Sequence, residues 1–331
     1  MPLLAMRHDF RAPAWAPTSL PEIYAAALEQ FEWADQHSFT TLVLSEHHAF
    51  EDGWLPAPLT MAGVVLGRTN RSRVTVSASL LPLHDPVRIA EQLTVLDNSA
   101  PGRLWVVFGA GYRAEEFEMA GIEHADRGRM LEEYVGVVLE ALSGEPFDWR
   151  GRSIQVTPKP ATDPRQLLLI GGGVPAAARR AARLRLPMFP MNADPKVAAA
   201  YHDEAKRVGF DGGFVIMPEG PTFVHVTEDP EKAWAEIGNY VLYEAQTYAS
   251  IQTPGQTSAP KVDAKTIDDL KRSPQYLVAT PDDVVAKVST ASAMAALVFN
   301  PLCGGMPPEL GWASLELFAA KVLPRLDVPA L

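Results

Sequence analysis

Short apolar runs alternate along the chain with longer segments in which apolar residues recur at helical spacing. The runs at residues 1–10, 41–45, 74–81, 104–108, 166–170, 187–191, 221–226 and 295–299 predict eight strands. Between them, residues 23–36 carry Ile23, Ala26, Ala27 and Phe31 on one helical face. Further helices are predicted at 58–68, 86–99, 126–142, 175–185, 195–208, from 230, from 280 and at 312–323. Start signals accompany them. Ser19-Leu20-Pro21-Glu22 has the form of a capping box, Asp85-Pro86 places an N-cap before a first-turn proline, and Thr280-Pro281-Asp282-Asp283 does the same. Residues 147–156, with Arg150-Gly151 at their centre, read as a small hairpin, and 252–274 as a polar inserted loop with room for some helix.

Alternating strands and helices imply a parallel sheet. Eight units within 331 residues predict an α/β fold, a (β/α)8 TIM barrel with an insertion after strand seven, as a single domain over residues 1–331. Strands of such a sheet are covered on both faces and read as apolar runs.

The chain carries a net charge of −11, which argues against a nucleic-acid backbone as partner. Its single cysteine, Cys303, excludes an internal disulfide and a multi-cysteine metal site. No apolar stretch reaches the ~20 residues of a membrane span, and the start lacks a basic region before a long apolar segment. These features predict a cytoplasmic protein with a small-molecule substrate.

The chemistry gathers at predicted strand ends, which in a parallel barrel form the active-site mouth. The second strand stops on Ser45-Glu46-His47-His48. Adjacent side chains on a strand point to opposite faces, so a metal site shared by the two histidines is not expected. His47, with an ordinary imidazole pKa of ~6.5, is the candidate acid-base residue. Gly171-Gly172-Gly173-Val174-Pro175 opens a helix. It is compatible with a phosphate cradle and with a tight turn. Gly109-Ala110-Gly111-Tyr112 follows the fourth strand, where glycines let a flat ring approach backbone and Tyr112 can stack. Ser77-Ala78-Ser79 are small residues within a bulky strand and leave room for a planar ligand. Arg7, His8, Trp54 and His84 are candidates to line the substrate pocket, with Tyr240, Tyr243 and Tyr248 beside them.

Together these segments resemble the bacterial luciferase-like family of flavin-dependent oxidoreductases. The resemblance runs through Ser45-Glu46-His47-His48, the stretch from Leu81-Pro82-Leu83-His84-Asp85-Pro86 to Glu91-Gln92, Leu96-Asp97 to Gly102-Arg103, Gly109-Ala110-Gly111-Tyr112 with Glu116-Phe117, the glycine run and Ala279-Thr280-Pro281. It covers nearly the whole chain in order. It implies a monooxygenase that uses reduced FMN and O2 on an organic small molecule, with reduced flavin from a separate reductase. Under it His47 acts on flavin–oxygen chemistry, and a non-proline cis peptide at Ser77–Ala78 lies under the flavin ring. The alternatives are hydride transfer with the deazaflavin F420 and a non-catalytic flavin-binding barrel. A homodimer follows by analogy. The chain lacks the arginine that luciferases place after strand four, leaving Arg113 or the glycine run to hold the phosphate. No His-x-His pair supports a metal-dependent hydrolase.

Overall fold

The computed structural model describes residues 3–252, 262–292 and 295–326. Its centre is a nine-stranded sheet in the order β10-β9-β11-β1-β2-β3-β4-β7-β8, with every neighbouring pair parallel. The first half alternates β1 (Leu3–Arg7), α1 (Leu20–Gln36), β2 (Thr41–Leu44), α2 (Pro58–Arg68), β3 (Arg73–Ser79), α3 (Pro86–Ser99) and β4 (Leu104–Phe108). A short α4 (Ala114–Met119) and α5 (Arg127–Leu142) follow, then the hairpin β5 (Phe147–Trp149) and β6 (Arg152–Ile154). Its turn residues Arg150 and Gly151 both have positive φ, 50° and 72°, the twist a two-residue hairpin favours.

The second half runs α6 (Pro164–Leu167), β7 (Leu168–Gly172), α7 (Pro175–Arg183), β8 (Met188–Pro190), α8 (Pro195–Arg207), β9 (Phe223–Val226) and α9 (Pro230–Ile251). Then come α10 (Ile267–Lys271), β10 (Tyr276–Ala279), α11 (Pro281–Ser289), β11 (Ala296–Phe299) and α12 (Pro308–Leu317). The segment after β8 touches both sides of the sheet: Met188 bonds to Phe214 and Ile216, while Glu219 and Pro221 accept from Ala296 and Val298 of β11.

Two expectations need correction. Nine parallel strands form rather than eight, because Tyr276–Ala279 pairs with β9 instead of merely leading into the Thr280 cap. The strand expected at 166–170 starts at Leu168, since Asp163 caps a helical turn that takes Gln166. Within the expected insertion, α10 is the helical part, capped by Thr266, and residues 253–261 lie outside the described ones. Met1 and Pro2 of the expected first strand also lie outside them.

The caps follow the sequence. Asp85 accepts from the backbone N–H of Val87 and Arg88, and Asp194 and Thr280 cap α8 and α11. The core lies between the outer strand faces and the helices, where Leu4, Met6, Leu42, Leu44, Val74 and Val106 are sealed against helical side chains such as Phe31, Val65 and Leu93. The opposite strand face is less filled: Thr41, Val43, Arg73 and Trp105 are only half-buried. The expected coverage of both faces is therefore unequal.

Buried carboxylates fasten loops to this frame. Asp97, fully buried on α3, accepts from Gly102 N, Thr162 N and Thr162 Oγ1 at 2.7–3.2 Å. Asp97→Ala strands those donors and should cost about 2–4 kcal/mol in urea unfolding. A loss below ~1 kcal/mol would show that water replaces the carboxylate.

Candidate active site

The chain leaves β2 at Leu44, and the next four residues divide between two sides. Glu46 and His48 turn together, and His47 turns to the cavity. The Glu46 carboxylate is buried and fully used. Oε1 accepts from His48 Nε2 at 2.8 Å and from His84 Nε2 at 2.6 Å, while Oε2 accepts from Ser79 Oγ and Leu80 N at 3.0 Å each. Burial pushes the Glu46 carboxyl up, yet the hydrogen bonds from His48 and His84 outweigh it and hold it at about 2. The ligand atoms of Glu46, His48 and His84 lie within 4.8 Å of one another, a spacing these hydrogen bonds explain.

His47 differs from His48. Its ring rests on Trp54, centroids 3.8 Å apart at 31°. Burial lowers its pKa to about 3, and the nearby Asp9 carboxylate offsets this only in part. This corrects the expected value of ~6.5: the imidazole is neutral at physiological pH. For His48 the hydrogen bond to Glu46 prevails over burial and raises the pKa.

A cavity of about 1260 Å³ opens along the C-terminal ends of the strands. Ser77, Ala78, Gly109, Gly111 and Tyr112 line one wall, and Gly171, Gly172, Gly173 and Val174 another. Arg7 and His47 reach the same space. The Ser77–Ala78 peptide is cis. Gly111 has φ +73°, and a Cβ there would meet the Phe117 ring at 2.7 Å. Gly172 has φ +135°, and its Cβ would lie 2.6 Å from that of Ala177. Both turns therefore require glycine. Asn192 Nδ2 donates to Gly173 O at 3.1 Å and holds the glycine run.

Three predicted pocket residues stand elsewhere. His8 is fully buried, edge-on to Phe31 at 4.6 Å, because the first residue past β1 turns to the helix side. Trp54 lies behind His47, sandwiched by the Arg11 guanidinium 4.2 Å from its ring. His84 is drawn to Glu46 rather than the cavity. Arg113 is not among the residues that line the cavity. Its guanidinium bonds to His48 O at 2.7 Å, covers the Phe50 ring and pairs with Glu116.

Other residues fill the gaps. Arg127 and Arg180 line the cavity beside the glycine run, and Arg180 Nε lies 3.6 Å from Glu132 Oε2, too long for a hydrogen bond. A cation one turn into the helix after the glycines is the signal that marks Arg180. Behind His47, Glu244 of α9 accepts from Arg7, Asn300 and the Cys303 thiol. Burial raises Glu244 above the usual carboxylate range despite Arg7. Burial works against Asp9 as well, yet Arg7 and Arg11 hold it below that range. Asp52 accepts from Arg11 Nε at 2.6 Å and Tyr243 Oη at 2.8 Å. Glu244 sits at helical spacing with Ile237, Val241 and Tyr248, and a lone acid on an apolar stripe is the sign of such a group.

Among the described residues no helix is long and apolar enough to cross a membrane. The family described as luciferase-like monooxygenase matches residues 9–296. The 4-hydroxyprotoasukamycin monooxygenase of Streptomyces nodosus subsp. asukaensis is 26% identical over 91% of this chain and 86% of its own. Limonene 1,2-monooxygenase of Rhodococcus erythropolis is 26% identical over 79% and 70%. Among solved structures, the monooxygenase RslO1 of Streptomyces bottropensis superposes with a TM-score of 0.77 at 24% identity, covering 97% of this chain and 99% of that one. The oxygenating constituent of 3,6-diketocamphane monooxygenase from Pseudomonas putida, in complex with FMN, gives 0.70 at 18%, covering 99% and 100%. These two share the fold. With the family match spanning most of its length, the chain belongs to the luciferase-like monooxygenase family of flavin-dependent oxidoreductases.

Proposed function

We propose that this chain oxidises an apolar organic molecule with reduced FMN and dioxygen, and that His47 stands at the reacting atoms. One observation carries the reading. A single cavity brings the neutral imidazole of His47 together with a flat small-residue wall and a cationic glycine-rich end. We read the sheet as the wall of a closed (β/α)8 barrel, bridged by the segment after β8.

The residues fit an FMN. Ala78 and Gly109 offer a flat surface for a ring. The glycine run, the N-terminus of α7 and the Arg180 guanidinium supply the donors a terminal phosphate needs. Arg127 adds a second cation. When bound, the reduced flavin supplies two electrons and the position at which dioxygen reacts. The chain supplies orientation and dryness. Tyr112 is half-buried against that wall, and the Arg7–Glu244 pair ties α9 to the end of β1. An imidazole that accepts a proton only near pH 3 is a poor base at neutral pH. His47 therefore serves as a hydrogen-bonding group whose orientation Trp54 fixes by stacking. The names of the limonene and alkanal monooxygenases support an apolar substrate. A separate reductase, a homodimeric assembly and a cytoplasmic setting belong to the same reading.

Tryptophan quenching by reduced FMN and by reduced F420, each with and without dioxygen uptake, tests the cofactor. Saturable FMN binding with substrate-dependent oxygen uptake is expected; binding of F420 alone would favour hydride transfer, and binding of neither would sink the flavin reading. Arg180→Ala should weaken FMN at least about ten-fold. His47→Ala should lower kcat by about 10²–10³, the loss expected for one hydrogen-bonding group at the reacting atoms, while leaving FMN affinity within about three-fold.

Histidine pH behaviour gives an independent check. His47 should remain neutral from pH 8 down to 5 in NMR of labelled histidines, because its folded pKa lies far below that window. His48, shifted upward, should gain its proton at a pH above the ordinary ~6.5. A His47 resonance titrating near 6.5 would contradict the burial argument.

A further inference from the structure

The unequal coverage of the strands bears on what the cavity holds. It does not stop at the mouth. Its lining reaches the N-terminal strand ends at Leu3, Thr41, Arg73 and Trp105. On β1 the helix-facing Leu4 and Met6 are 1% and 0% exposed, whereas Leu3, facing the cavity, is 40% exposed. Parallel barrels normally fill this interior with layers of bulky side chains. Here Ala5, Val43, Val107 and Val298 line the space between the mouth and the rear. From Leu3 to Arg7 the strand rises ~13 Å.

The rear end carries an unanswered charge. The Arg73 guanidinium lies over the Trp105 ring, 3.9 Å from its centroid, and its buried Nε has no hydrogen-bond partner. Among the described residues no ion pair answers it, and burial lowers its pKa. Other polar groups there are accounted for or stand apart. Thr41 and Thr75 bond to each other at 2.8 Å, and the Glu219 carboxylate takes the Ser292 hydroxyl. Gln275 presents an unpartnered buried Oε1. A half-buried guanidinium stacked on an indole, with free N–H donors, is a binding site for an anion.

We propose that the strand interior is a second binding chamber for an amphipathic anion, a medium-length apolar chain whose carboxylate pairs with Arg73 at the rear. The apolar stem lies between Ala5, Val43, Val107 and Val298, and the chamber is occupied from the N-terminal side, opposite His47. This goes beyond the flavin reading and does not depend on it, since the walls and Arg73 exist in the chain alone.

Calorimetric titration of the purified, flavin-free protein with decanoate tests it, with 1-decanol and butyrate as comparators. Decanoate should bind saturably at one site, with butyrate at least ten-fold weaker for want of a stem. Arg73→Gln should weaken decanoate at least ten-fold and leave decanol within two-fold, and Arg73→Lys should restore part of the loss. Val43→Phe or Val298→Phe should block both chains. Each variant is compared by its melting curve, and the two blocking positions guard against one that fails to fold. The proposal is overturned if decanoate shows no saturable binding to the wild-type protein. It is equally overturned if folded Arg73→Gln and a folded blocking variant bind decanoate as the wild type does.

Discussion

The carboxylate of Glu46 is the joint on which the mouth of this barrel-like sheet depends. It joins three pieces of chain that the sequence separates: the end of β2, the bend after β3 and the turn before α3. A buried charge is tolerated only when its lone pairs are met, and all four donors here come from neighbouring wall segments. Satisfying Glu46 therefore fixes where Ser79 and Leu80 go, and with them the Ser77–Ala78 wall. It also assigns the two histidines after it. His48 is committed to Glu46, which leaves His47 as the imidazole that faces the cavity.

A second buried ionic group does the same for α9. Arg7 and Arg11 leave the end of β1 and meet Glu244 and Asp52, with Tyr243, Asn300 and Cys303 completing the contacts. Breaking one partner would leave an uncompensated charge in the interior. This network explains how Trp54 comes to lie between Arg11 and His47. The tryptophan belongs to the support behind the site, and it reaches the chemistry only through the ring it stacks against.

Much of this was legible in the residues. The helix starts at Asp85, Asp194 and Thr280 follow from local rules that need no tertiary knowledge. The glycine segments 109–111 and 171–173 face the cavity as their chemistry suggested. The misses have two causes. His8 follows Leu4 and Met6 to the helix side by the alternation of β1, whereas His84 and Arg113 are claimed by buried partners distant in sequence. Arg113 goes to His48 O and His84 to Glu46, contacts no local pattern encodes. The strand Tyr276–Ala279 was hidden because a short apolar run before a helix cap looks like a connector until β9 offers it an edge. The hollow inner face was invisible for a similar reason. The residues of β1 read as one apolar run, and only the sheet reveals that alternate members face different surroundings.

The sheet order has a consequence for how the chain is made. β1 lies between β2 and β11, so one flank of the first strand pairs with the last, Leu3 opposite Ala296 and Met6 opposite Phe299. At ~5–20 residues per second, synthesis takes roughly 15–60 s to reach that partner. Through that interval the nascent chain carries an unsatisfied strand edge, the kind of surface that recruits foreign strands. Completion of the architecture is thus a late event on the ribosome. Helpers that shield the early strand would matter more for yield than for the stability of the finished protein.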